Sequence, residues 1–239
     1  MAQIFHPATN TAIRLGVVFF GVIGPLATLI IGSAITRSPF NTGVGVASAQ
    51  PVPFSHEHHT VELGIDCRYC HTSVEKSAEA GAPATETCMS CHSQIWTDSP
   101  LLEPVRDSYR TGKPLVWTRL NSVPGFVYFP HNIHVNRGIS CNNCHGPVQK
   151  MMLTYKGKAF FMVWCLNCHR QPEKFVSDRN FVFDLYKHYQ TGKMTDKERD
   201  IAEGETHENT GADLERGEAL LTQYHVKKAQ LTDCSVCHH

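Results

Sequence analysis

Ten cysteines constrain this chain more than any other feature: all of them fall in C-x-x-C pairs, and every pair is followed at once by histidine. The five sites are Cys67, Cys70 and His71; Cys88, Cys91 and His92; Cys141, Cys144 and His145; Cys165, Cys168 and His169; and Cys234, Cys237 and His238. C-x-x-C-H is the attachment pattern of haem c. Two thiols at this spacing can add to two vinyl groups on one porphyrin edge, and the adjacent imidazole then lies under the iron as proximal ligand. Zinc clips, disulfides and thioredoxin-like pairs also use C-x-x-C, but none of them needs the histidine. The pattern therefore predicts five covalently bound haems c. Composition agrees: 15 histidines in 239 residues are an excess, and histidine enriched together with cysteine points to ligation. Lys plus Arg equals Asp plus Glu at 22 each, so the basic excess of a nucleic-acid binder is missing.

Haem c is attached outside the cytoplasm, so the cysteine-bearing part must be exported. The segment Leu15–Ile35 carries no charged residue. Its 21 residues span about 31 Å as a helix, one bilayer core. Arg14 and Arg37 bracket it and leave charge bias nearly silent on orientation. The haem argument orients it instead, as a single-pass inner-membrane anchor with the haem domain on the periplasmic side. Ala47-Ser48-Ala49 resembles a cleavage box, but it lies far past the apolar run, so the anchor is expected to be retained. Gly24, Thr28 and Gly32 at i, i+4 and i+8 could form a small-residue face for a neighbouring helix, and Pro25 should kink the helix mildly.

Two exported segments align. Phe54-x-His56-x-x-His59 precedes Cys67, and Phe129-x-His131-x-x-His134 precedes Cys141. Each is followed by two C-x-x-C-H sites, which reads as an internal duplication with the fifth site standing alone. The expected organisation is an anchor in 1–37, a dihaem module in 38–96, an extended link in 97–128, a second dihaem module in 129–172, and a segment in 173–239 that carries the fifth haem. The expected fold class is a multihaem cytochrome c, mostly coil with short α-helices packed around five haems, plus one transmembrane helix. About 40 residues per haem is too little protein for a separate core of the usual kind.

A low-spin haem needs a second axial ligand. His56, His59, His131 and His134 are the natural distal ligands, since i and i+3 lie one helical turn apart and can serve neighbouring haems. Phe54 and Phe129 would shield a porphyrin face. His58 is read as surface because its counterpart is Ile133, and His6 lies on the cytoplasmic side. One iron is left for Met162, Met151, Met152, His188, His207 or His225. Met162, close to Cys165, is preferred; His225 comes next, and apolar packing is the alternative role for Met162. Residues 173–191 are aromatic-rich and suited to covering haem edges, and 195–212 read as a polar surface loop with a short helix. Ala212–Tyr224 has helical periodicity, with Leu214, Ala219 and Leu221 facing inward.

The anchor, the five sites and their spacing resemble the pentahaem cytochrome c subunit of bacterial alternative complex III, a quinol oxidoreductase. The resemblance rests further on Pro114-Leu-Val-Trp117, on Val123-Pro-Gly-Phe126-Val-Tyr-Phe129, on Met162-x-Trp164-Cys165-Leu-Asn-Cys168-His169-Arg170, and on Leu231-Thr-Asp-Cys234. His239 departs from it, where Arg would be expected. The resemblance implies an iron–sulfur and molybdopterin-enzyme-like partner subunit, polytopic membrane subunits that bind the quinol, and a monohaem cytochrome c or another soluble acceptor. In that setting this chain relays electrons and catalyses nothing itself. Multihaem subunits of periplasmic quinone reductases share part of the pattern and give the alternative function. A multihaem enzyme with an open iron is a further one, disfavoured because spare His and Met can fill every site.

Overall fold

A computed structural model describes residues 6–183, 196–203 and 209–238. The chain divides into two compact units, Met1–Val44 and Gly45–His239.

The first unit is built on a helix from Ala8 to Arg37, long and apolar enough to cross a membrane. His6 caps its start by accepting a hydrogen bond from the Ala8 N–H at 3.3 Å. The helix is not uniform: Pro7–Val18 and Gly24–Arg37 are α-helical, and Phe19–Ile23 between them is a π-helical turn. Pro25 explains the wide turn. Its ring clashes with the carbonyl four residues back and it donates no hydrogen bond. Widening the preceding turn relieves that clash, and the Gly24 N–H reaches back five residues to the Phe19 carbonyl. The Thr28 hydroxyl donates to the Gly24 carbonyl at 2.9 Å, so its polar end is satisfied within its own helix.

In the second unit the described residues contain no β-strand, only two isolated bridges, Ala47 with Tyr155 and Val127 with His238. The rest is coil and short helices. Among the described residues, buried apolar side chains form four small clusters. Val176, Leu220, Leu221 and Tyr224 make one, and Val52, Leu102 and Val105 another, with Cys88, Met89 and Trp117 against it. A third joins Val74, Val135 and Val182 with Cys141.

Three expectations need correction. The stretch 97–128 is not wholly extended: Pro100–Leu102 and Glu103–Thr111 are helical, and Val105 is buried. Pro100 and Pro104 sit in first turns, where proline costs no hydrogen bond. The short helix expected in the polar region 195–212 is there, as Asp196–Ala202, but it is not confined to the surface: Ile201 and Ala202 are fully buried. The helix Ala212–Gln223 buries Gly217, Leu220 and Leu221, whereas Ala219 is exposed. Its close approach explains the phase: a Cβ on Gly217 would lie 2.1 Å from the Glu173 carbonyl oxygen. Most of the aromatic stretch beyond Phe183, with His188, lies outside the described residues, as do His207 and His239.

Candidate functional site

Each C-x-x-C pair occupies a helical turn: Cys67–Cys70, Cys141–His145 and Cys234–Cys237 are one-turn helices, and the other two pairs lie in Thr85–His92 and Met162–Arg170. The local sequence builds these turns. Asp66 and Ser140 precede their cysteines as N-caps and accept from the Arg68 and Asn142 N–H groups. A three-residue spacing on a helix places both sulfurs on one side. None of the ten cysteines forms a disulfide.

The histidines then meet in pairs. The ring centroids of His131 and His145 are 6.2 Å apart with planes 3° from parallel. His134 and His169 are 6.2 Å apart, and His59 and His92 6.3 Å. A metal–imidazole bond of about 2.0 Å on each side, plus the distance from ring nitrogen to ring centre, puts the centroids of two rings flanking one metal about 6.3 Å apart. His56 holds the place in its motif that His131 holds in the other, with the same edge-on phenylalanine contact at 4.9 Å. The second F-x-H-x-x-H motif thus sends His131 to the first C-x-x-C-H that follows and His134 to the next, and the first motif sends His59 to the second site after it.

The hydrogen bonds leave the opposite edge of these rings available. Nδ1 of His59, His71, His131, His134 and His169 lies 2.7–2.9 Å from the carbonyls of Ser55, Gly81, Ala78, Pro130 and Leu231 respectively. His92 makes a longer contact of 3.2 Å with Ile95. A carbonyl accepts only, so Nδ1 carries the proton and Nε2 is the free ligand atom; orientation of this kind is what metal-bound imidazoles require. His56 differs in that its Nδ1 meets the Thr154 hydroxyl at 3.0 Å. Burial, more than any neighbouring charge, holds His56 and His145 down to about 4 and keeps both neutral, as a ligand must be.

Phe54 and Phe129 act on the imidazoles. Phe54 stacks on His59 at 4.4 Å and meets His56 edge-on at 4.9 Å; Phe129 does the same to His134 at 4.5 Å and His131 at 4.9 Å. The repeated geometry matches the repeated motif. His58 is exposed and pairs with Glu62. Burial pushes the Cys67 thiol up to about 11 and the Cys144 thiol up to about 12.

The fifth site is built differently. The ring against His238 is Phe126, stacked at 5.8 Å. Met162, at the start of its helix, is 60 % exposed, and Met152 and His225 are exposed too, whereas Met151 is buried beside Gly146. Among the described residues no three His, Cys, Asp or Glu side chains gather as a bare metal site. Paired imidazoles beside paired thiols fit a planar macrocycle with two axial positions, and Ile95, Trp96, Phe161 and Val163 offer apolar cover next to the thiols.

Sequence reasoning missed Thr154, the carbonyls of Ala78 and Gly81, and Phe160. Phe160 holds a left-handed backbone (φ 55°), which directs its ring to 6.4 Å from His145 and 5.5 Å from Trp164. The partners of His59 and His134 were recoverable from sequence, since each is the carbonyl four residues back.

No protein-family model matches the chain. Over 97 residues it is 35% identical to the menaquinone reductase multiheme cytochrome c subunit of Nitratidesulfovibrio vulgaris. The match covers 40% of this chain and 45% of that protein, so the chain spans less than half the length of the relative.

Proposed function

We propose that this chain is the electron-transfer subunit of a membrane quinone oxidoreductase and that it carries five covalently bound haems c. Four would be held between two imidazoles: His56 with His71, His59 with His92, His131 with His145, and His134 with His169. The fifth would take His238 and Met162. When bound, each haem supplies a one-electron couple whose potential follows from axial ligand, hydrogen bonding and burial. The chain's own residues orient the rings, keep them neutral and anchor the macrocycles by thioether bonds. The observation that carries this reading is the set of imidazole pairs with centroids 6.2–6.3 Å apart, each beside a C-x-x-C pair.

The helix Ala8–Arg37 would anchor the subunit, with the haem part on the periplasmic side. Leu15–Ile35 offers no ionisable group to take protons from a quinol, so quinol chemistry belongs to partners. By its resemblance to the pentahaem subunit of alternative complex III, those partners are an iron–sulfur and molybdopterin-enzyme-like subunit and polytopic quinol-binding subunits. The acceptor is a monohaem cytochrome c or another soluble protein. The modules are residues 38–96 and 129–172, with the fifth haem in the carboxyl-terminal segment.

The 97-residue similarity favours a second reading, the multihaem subunit of a quinone reductase, in which electrons run the other way. Intact mass and a haemochrome assay of the exported protein test the cofactor count: five added haems are expected, and four or fewer refute it. The purified complex then decides direction. Menaquinol that reduces the haems supports the first reading, and haem-dependent reduction of menaquinone supports the second. Inhibitor-sensitive haem reduction by a quinol analogue in the isolated subunit would move the quinol site into this chain.

A further inference from the structure

Resting on the five-haem reading above, we propose that the sites are strung in space in the order second, first, third, fourth, fifth, and that electrons enter and leave at the Cys88/Cys91 and Cys234/Cys237 ends. The order departs from the sequence because the two modules meet through their first sites.

The seam between the first and third sites is the most heavily bonded. One loop follows His71. Its Gly81 carbonyl accepts from His71 Nδ1 at 2.7 Å, and its Ala78 carbonyl accepts from both the Nδ1 and the backbone N–H of His131, at 2.8 and 2.9 Å. Asn132 N–H donates to the Ser77 carbonyl, and the Asn136 side chain to the Glu75 carbonyl at 2.8 Å. A single loop therefore holds a ring of the first site and a ring of the third. The seam is reciprocal. The segment after the third site reaches back to the turn that carries His56: Thr154 meets His56, the Met151 carbonyl accepts from Glu57 N–H, and the Gln149 carbonyl accepts from the Thr60 hydroxyl. Val74 and Val135 pack together with Cys141 beneath. Cys67 stands close enough to add to the upward shift that burial gives the Cys141 thiol.

The second site joins this pair through the first. Tyr69 and Ser90, each lying between the cysteines of its own pair, share a hydrogen bond of 2.8 Å, and His59 reaches His92 of the second site. On the far side, His131 and His134 leave one helix toward the third and fourth. The fifth site is tied to the fourth: His169 Nδ1 donates to the carbonyl of Leu231, three residues before Cys234. Cys91 and Cys234, one at each end, are exposed, and the other eight cysteines are partly covered. One electron passes per hop and no proton needs to move. The electron would come from a quinol oxidised elsewhere in the complex, or pass on to a quinone in the reverse direction.

Iron anomalous diffraction from the haem-loaded full chain tests the order. Nearest irons are expected between the second and first, first and third, third and fourth, and fourth and fifth sites. A second–third separation shorter than the first–third separation, or a fifth iron nearest any but the fourth, overturns it. Five irons in another order overturn this inference and leave the electron-transfer reading standing; fewer than five overturn both. A second measurement uses Cys88→Ala with Cys91→Ala. The variant should lose one haem in five by haemochrome while the other four still equilibrate in a single kinetic phase. A new slow phase among those four would place the second site inside the series and refute the proposed order.

Discussion

Replacing Thr154 by valine should raise the potential of one haem and leave the rest alone. Among the described residues, seven of the proposed ligand histidines show an Nδ1 partner, and Thr154 is the one hydroxyl, the other six being backbone carbonyls. With Nε2 of His56 directed to the iron, Nδ1 donates to the Thr154 oxygen. That bond shifts electron density toward the ligand nitrogen and favours the oxidised iron. Valine keeps the shape and removes the acceptor. A net hydrogen bond is worth about 1 kcal/mol, so about 40 mV is the ceiling for a one-electron couple if the whole bond is lost on reduction. An upward shift of about 20–40 mV in the haem between His56 and His71 is expected. Thr154→Ser, which keeps the hydroxyl, should restore the original value. Potentiometric titration followed by EPR resolves the shift. No shift, a downward shift, or an equal shift in the serine variant would refute the assignment of Thr154 as the partner that tunes His56.

Four further outcomes follow from the packing. A Cβ on Gly157 would lie 2.3 Å from the His145 carbonyl oxygen, so Gly157→Ala should cost about 1–3 kcal/mol and lower haem occupancy at the third site, read by haemochrome and thermal melting. Asn142, fully buried, donates to the Ile201 and Ala202 carbonyls at 3.0 and 3.3 Å; Asn142→Ala should cost about 1–3 kcal/mol and expose 196–203 to proteolysis. Leu220→Ala, in the cluster with Val176 and Tyr224, should cost about 2–5 kcal/mol with haem content unchanged. Met162→Ala should lower the potential of the fifth haem and let carbon monoxide bind there; five unchanged potentials with no carbon monoxide complex would remove Met162 from the ligand set.

How much of this was legible in the sequence depended on the range of the contacts. The C-x-x-C-H turns are local, and an Asp or Ser just before the first cysteine is enough to start two of them. The F-x-H-x-x-H motifs are local too, and Phe54 and Phe129 hold their histidines within the same five or six residues. The identity of the partner site was not legible. His56 is positioned by a residue 98 positions away, and His131 by one 53 positions away. Polarity misled in the region around 195–212, because Ile201 and Ala202 are buried by the third site's Asn142 and by Gln149, which no periodicity in so short a helix could announce. Proline misled in 97–128, where Pro100 and Pro104 begin helical turns instead of preventing them.

The arrangement of second contacts bears on why such a chain would conduct well with so little core. An imidazole held only at the iron can rotate about its bond, and each rotation changes overlap and local field. Here His59 and His134 are each clamped on two further sides, by a carbonyl at Nδ1 and by a phenylalanine stacked within 4.5 Å. These clamps come from backbone groups and neighbouring residues, so they do not depend on a large apolar interior. Four clusters of only two to four buried residues can then suffice for the polypeptide, because the geometry that matters is set within each turn and at the seams between turns. Neutral imidazoles would add to this: burial holds His56 and His145 down to about 4, so neither ring gains a proton at neutral pH. On the proposed reading, a relay that moves electrons without moving ligand protons or rotating these rings would meet little reorganisation at each step.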